Sequence, residues 1–173
     1  VPGSVLWLLM PDREPARQAL IDAAASHGVE GRVILAARVP QRQHLARLQL
    51  ADIALDTFPC NSHTTASDAL WAGVPIIGQI GETFASRVSA SLLMAIGQPD
   101  LVTCSDSEYL ARSFELANDA DRLGCVKERL RAARTSSPLF DSERFARDLE
   151  ILFRAIVANE RSEKPVGVVT CAL

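Results

Sequence analysis

The chain has 173 residues, 48% of them hydrophobic, which is enough to bury one core and too few for two comfortable domains. Its 18 basic and 21 acidic side chains leave no positive excess, which argues against nonspecific binding to nucleic acid or to an anionic membrane surface. No apolar run approaches the roughly 18 residues needed to span a bilayer, and the opening "VPGSVLWLLMPDREP" lacks the basic start and long apolar stretch of a secretory signal.

Four cysteines, Cys60, Cys104, Cys125 and Cys171, are scattered without a CxxC pair, the usage of reduced thiols in a cytoplasmic protein. The chain has no initiator methionine and opens directly into a strand-like run, which points to the C-terminal piece of something longer.

Short β-rich runs alternate with helical patterns along the first hundred residues, the order of βαβ units on a parallel sheet. "SVLWLLM" (Ser4–Met10) is followed by a helix over Glu14–Ser26, and "RVILAA" (Arg32–Ala37) by a helix over Pro40–Leu50 with proline in its first position. "DIALD" (Asp52–Asp56) is the next strand, "TTASDALWA" (Thr64–Ala72) the next helix, and "VPIIGQ" (Val74–Gln79) the strand after it. Between these two, Gly73 can take the left-handed cap and Pro75 cannot continue a helix, so the turn is sharp.

A helical pattern over Phe84–Ile96 precedes a short edge strand, Leu101–Thr103. Ser105 with Glu108 has the form of a capping box for a helix reaching Asn118. A second helix runs to Thr135, and a third follows Pro138, with Phe145, Leu149, Leu152, Phe153 and Ile156 on one stripe that should pack back on the domain. The expected organisation is one α/β domain with a Rossmann-like parallel sheet and C-terminal helices over residues 1–159, and a mobile tail over 160–173.

In an open α/β sheet, ligands bind beyond the carboxyl ends of the strands, where loops lead into helices. "DTFPCNSHTTASDALWAGVP" lies at such a point: Asp56 ends a strand, the loop runs to His63, and the helix starts at Thr64 and Thr65. Free N–H groups and the positive end of the helix dipole make this mouth an anion site, and the threonine hydroxyls add donors, a set that suits a diphosphate. The dipole contributes about 0.3–1 kcal/mol, so further donors are needed, and His63 is placed to supply one. Asp68 follows Thr64 by one turn; a carboxylate repels phosphate, so it fits the hydroxyl pair of a ribose. His44 and Arg47, on one face of the preceding helix, can join from the neighbouring loop.

The series "VPGSVLWLL", "LADIALDTFPCNSHTTASDALWAGVPIIG", "GETFASRVSASLL" and "SSPLFD" closely resembles the C-terminal catalytic half of the O-GlcNAc transferases, glycosyltransferase family 41, in unbroken order to about Ile156. The resemblance, to the bacterial TPR-containing type, implies one Rossmann-like half of a GT-B enzyme that holds UDP-GlcNAc. It implies inverting transfer of GlcNAc to protein Ser or Thr hydroxyls without metal or cofactor, the leaving diphosphate being stabilised by helix dipole and cationic side chains. By the same resemblance the backbone of Val39 meets the uracil, His44 stacks near the base, and Arg47 lies three residues further on. His63, Thr64 and Thr65 contact the phosphates, and Asp68 binds the ribose. Gln41 departs from the pattern, standing where animal members commonly have lysine, so a base contact is lost. The implied partners are the acceptor protein, the N-terminal catalytic half with the family's proposed catalytic histidine, and the TPR repeats; neither nucleic acid nor a membrane is among them.

Other readings of these residues remain open. His63 can cap its helix or sit satisfied in a loop, and His44 and Arg47 can be ordinary solvated helix residues. Cys60 and His63 lack a second ligand pair of zinc-like spacing, and Cys60 suits a cleft lining. Glu82 and Thr83 can contact the donor sugar, or Thr83 can cap the next helix beside a salt-bridged Arg87. Trp7 and Trp71 read as core or interface residues. Against the transferase donor half stands a noncatalytic nucleotide-sugar-binding or interaction module left from a truncated transferase. A dinucleotide-dependent oxidoreductase fails for want of a G-x-G-x-x-G stretch.

Overall fold

The computed structural model describes residues 1–161. β1 (Leu6–Leu9), α1 (Glu14–Ser26), β2 (Val33–Ala36), α2 (Gln41–Leu48), β3 (Ala54–Leu55), α3 (Thr64–Ala72) and β4 (Ile76–Gln79) alternate as the sequence predicts. α4 (Val88–Ala95), β5 (Val102–Thr103), α5 (Asp106–Asn118), α6 (Ala120–Ala133) and α7 (Ser142–Arg161) follow. Among the described residues every bonded strand pair is parallel: β1 with β2, β3 with β4 and β4 with β5.

β4 is buried along its whole length, which is why its sequence is apolar without alternation. Around it close Ala66 and Leu70 of α3, Leu93 and Ile96 at α4, Leu101, Leu116 of α5, and Val126 and Leu130 of α6. Each such leucine or isoleucine contributes about 1.5–3 kcal/mol by leaving water. α4 approaches so closely that a Cβ on Gly78 would meet Ser89 Oγ at 2.7 Å. A second cluster, Ala69, Ala72 and Val74 against Leu48, Ala51 and Ala54, seats α2 on α3. Small side chains at that seam bring the two helices close, and this closeness sets the candidate site.

α3 keeps its predicted bounds because both ends are written locally. Gly73 takes φ 80°, and its N–H and that of Val74 return to Leu70 and Ala69 carbonyls. Elsewhere the structure departs from the sequence reading. The strands form two hydrogen-bonded groups, β1-β2 and β3-β4-β5, since β3 is only two residues long and bonds β4 alone. Pro40 is the N-cap of α2, with Gln41 as first helical residue. The pattern over Phe84–Ile96 splits into a 3-10 turn, Phe84–Ser86, and α4, because Thr83 and Ser86 cap each other reciprocally. Arg87 is exposed and makes no ion pair among the described residues. Ser105 caps α5 through the Glu108 N–H, but Glu108 reaches back to the Cys104 N–H at 2.7 Å, one residue earlier than a capping box requires.

The largest correction concerns α7. Its stripe does not pack back on the domain: Phe145 is 66% exposed and Phe153 56%. The turn Pro138–Phe140 spends Leu139 and Phe140 on the core and on Trp71, and the helix beyond it leaves its apolar face in solvent. Glu160 and Arg161, assigned from sequence to the tail, belong to α7; the rest of the expected tail lies outside the described residues.

Candidate functional site

The first bond of α3 runs from the Ser67 N–H to the His63 carbonyl at 3.1 Å. The N–H groups of Thr64, Thr65 and Ala66 therefore have no carbonyl acceptor within the helix. Thr64 and Thr65 are exposed, and neither hydroxyl is engaged among the described residues. His63 is the N-cap by backbone, yet its ring does not cap; it lies edge-on to Phe84, centroids 5.9 Å apart.

The loop before this mouth is wired from within. Asp56 is 7% exposed, and its Oδ1 accepts from the N–H groups of Thr57 (2.9 Å) and Ser62 (2.6 Å). Asn61 is buried; its Nδ2 donates to the Thr57 and Gln79 carbonyls, and its N–H to the Ala85 carbonyl. The Tyr109 hydroxyl donates to the Asp56 carbonyl at 2.8 Å. Burial, and secondarily the Asp56 charge, push the Tyr109 phenol from its ordinary 10.0 up to about 12. These bonds fix where β3 ends and where His63 emerges.

Sequence reasoning treated Asp56 as a strand end and missed the roles of Asn61 and Tyr109. Asx side chains bonding nearby backbone are a local signal that could have flagged Asp56 and Asn61. Nothing local marks Tyr109, whose partner lies 53 residues away.

The other wall comes from α2. Gln41 Nε2 lies 3.2 Å from both Asp68 carboxylate oxygens, and His44 Nε2 lies 3.9 Å from Oδ2. Arg47 Nη2 is 3.4 Å from His44 Nδ1. A guanidinium only donates, so Nδ1 is the acceptor in that contact. Arg47 also donates from Nη1 to the Ala37 carbonyl at 2.7 Å and lies over the Trp7 ring at 5.5 Å. It ties α2 to β1 and supports His44.

Val39 is half-buried, and its backbone N–H and carbonyl make no hydrogen bond among the described residues. The structure thus brings Gln41, His44 and Asp68 into one cluster, with Arg47 behind it and His63, Thr64 and Thr65 on the turn of α3 preceding Asp68. Glu82 is exposed, and the Thr83 hydroxyl is spent on Ser86. Cys60, Cys104 and Cys125 are free thiols. Among the described residues no group of three or more His, Cys, Asp or Glu is placed to hold a metal ion. No described helix is long and apolar enough to cross a membrane.

Parallel strands whose loops deliver polar side chains to a helix N-terminus define an open α/β domain. Residues 1–149 match the model of glycosyl transferase family 41, and the chain belongs to that family. It is 36% identical over 173 residues to a UDP-N-acetylglucosamine–peptide N-acetylglucosaminyltransferase of Caenorhabditis elegans, covering 98% of this chain and 15% of that protein. A probable enzyme of the same description from Arabidopsis thaliana is 40% identical over 154 residues, 87% of this chain and 16% of its own length. The chain therefore spans about a sixth of these curated relatives. A solved mutant O-GlcNAc transferase of Thermobaculum terrenum superposes with TM-score 0.77 at 32% identity, covering 83% of this chain and 28% of that one. The mixed α/β architecture with parallel strands and C-terminal helices matches the GT-B-like fold of that transferase.

Proposed function

We propose that this chain is the donor-binding half of an inverting, metal-independent glycosyltransferase that moves GlcNAc from UDP-GlcNAc to protein Ser or Thr hydroxyls. In this reading it acts in the cytoplasm, with an N-terminal catalytic half and TPR repeats as in the bacterial TPR-containing type. The observation that carries it is the clustering of Asp68 with Gln41 and His44 beside the open start of α3, in a chain of family 41.

The roles follow from charge and reach. Backbone N–H groups at Thr64 to Ala66, with the Thr64 and Thr65 hydroxyls, offer donors to a diphosphate, and the dipole adds up to about 2 kcal/mol in partly buried geometry. His63 adds a donor as charge grows on the leaving diphosphate. Asp68 accepts from the ribose hydroxyls, and the unspent backbone of Val39 meets the base beside His44. Arg47, already committed to Ala37 and Trp7, acts by holding His44 in place.

The test is calorimetric titration of the chain with UDP in EDTA, with GDP and NAD as controls. Selective UDP binding that is lost in both His63→Ala and Asp68→Ala supports the reading. A folded chain that ignores UDP contradicts it and favours the noncatalytic interaction module.

A further inference from the structure

The strands form two hydrogen-bonded groups, and among the described residues nothing bonds β1 to β3. Chain order moves outward from that break in both directions, from β1 to β2 on one side and from β3 through β4 to β5 on the other. Open α/β sheets reverse in this way in two common strand orders, 2-1-3-4-5 and 3-2-1-4-5-6. The first requires a ladder between β1 and β3, which is absent. The second fits when β2 and β1 take places 3 and 2 and β3, β4 and β5 take places 4, 5 and 6, leaving the central place open.

Both walls of that place carry unused hydrogen-bonding edges. Ala54 and Asp56 donate toward β4, to the Pro75 (2.8 Å) and Ile77 (3.1 Å) carbonyls, so the alternation of a parallel ladder turns the Leu55 N–H away from β4. Met10 donates to the Ala36 carbonyl at 2.8 Å, and the same alternation turns the N–H groups of Trp7 and Leu9 away from β2. Burial agrees. β4, with a strand on each side, is buried throughout, whereas Leu55 is 51% exposed and Leu6 and Leu9 are 45% and 46% exposed. α2 reaches both walls, with Arg47 over the Trp7 ring of β1 and Leu48 in the cluster that includes Ala54 of β3, so β1 and not β2 faces β3.

We infer that β1 and β3 flank a slot for one further strand, parallel to both, and that its occupant is an extended apolar segment of the N-terminal half invoked above. The inference rests on the proposed function for the source of the strand and on the sheet alone for the slot. A parallel strand with a neighbour on each side reads as a continuous apolar, β-branched run. A polypeptide as long as the curated relatives, of which this chain spans about a sixth, has the length to supply one. Being parallel, the segment ends where β1 and β3 end, at the switch point beside α2 and the start of α3. It thus joins the two strand groups and brings its following loop to the crevice.

The test follows amide exchange by NMR in the isotopically labelled 173-residue chain, alone and with a capped synthetic peptide, Lys-Thr-Val-Ile-Val-Val-Lys. The control is the same peptide N-methylated at its valines, which cannot donate from those positions. In the chain alone the N–H groups of Trp7, Leu9 and Leu55 should exchange at least about tenfold faster than those of Leu8 and Asp56, whose bonds must open first. The peptide should slow these three to the rate of their bonded neighbours, and the N-methylated form should not. Three amides already protected in the chain alone would mean that β1 and β3 pair directly, and would overturn the slot. Exchange that the peptide leaves unchanged, or that both peptides slow equally, would overturn the strand as occupant. Either result leaves UDP binding, measured separately, to stand or fall by itself. A chain that ignores UDP while the peptide protects all three keeps the slot and loses its assigned source.

Discussion

Replacing Tyr109 with phenylalanine removes one hydroxyl and keeps the ring that packs against the core. The loss is the 2.8 Å hydrogen bond to the Asp56 carbonyl, 53 residues away in sequence. Such a bond contributes a net 0.5–1.5 kcal/mol, and an acceptor left without a partner adds to the loss, so Tyr109→Phe should destabilise by about 1–2 kcal/mol at neutral pH. Against a total of about 5–15 kcal/mol the variant remains folded, and urea denaturation can measure the difference. The same residue gives a pH signature. In the unfolded chain the phenol ionises near its ordinary 10.0, and in the folded chain near 12. Between those values the unfolded state has released a proton that the native state keeps, so stability falls as pH rises through the interval. Below about 10 the contribution is whole; in Tyr109→Phe this share of the alkaline decline is absent. Tyr109 is the sole tyrosine of the sequence, so phenolate absorbance reads it alone. A midpoint near 10 in the folded chain, or a variant as stable as its parent with the same alkaline decline, would refute the reasoning.

Three further outcomes are expected. Leu70→Ala, at a fully buried position, should cost about 2–5 kcal/mol and lower the urea midpoint with little change in slope. Gly73→Ala puts a side chain at φ 80° with its Cβ 3.2 Å from Arg131 Cγ; a loss of about 1–2 kcal/mol should lower the melting temperature by roughly 3–6 °C. Phe145→Gln with Phe153→Gln on the open face of α7 should change stability by no more than about 0.5 kcal/mol per site. A loss of several kcal/mol would instead mean that the stripe is covered in solution.

Where the chain writes its signals locally, structure followed from sequence. α1 and α3 have their predicted bounds, and α3 does so because its Thr start and its Gly73, Val74, Pro75 stop need no distant partner. Signals that depend on neighbours were less legible. The alternation of elements announces parallel strands but not which edges bond, so the two strand groups were not foreseen. The α7 stripe announces an apolar face, and periodicity alone cannot say what meets it. At the site, His63, Thr64, Thr65 and Asp68 stand out as a polar group at a helix start, while the tie of Asp68 to Gln41 spans 27 residues and has no sequence signature. Arg47 presents as a free cation in sequence, but its donors are directed to Ala37 and His44.

The central claim is that a nucleoside diphosphate is gripped at the start of α3 without a metal. It is tested most directly by following the backbone amides of the isotopically labelled chain by NMR while UDP is added in EDTA. The account predicts saturable shifts concentrated at Thr64, Thr65 and Ala66, with smaller ones at Val39 and Gln41. A well-dispersed spectrum that UDP leaves unmoved there, or shifts confined to another surface, would contradict it.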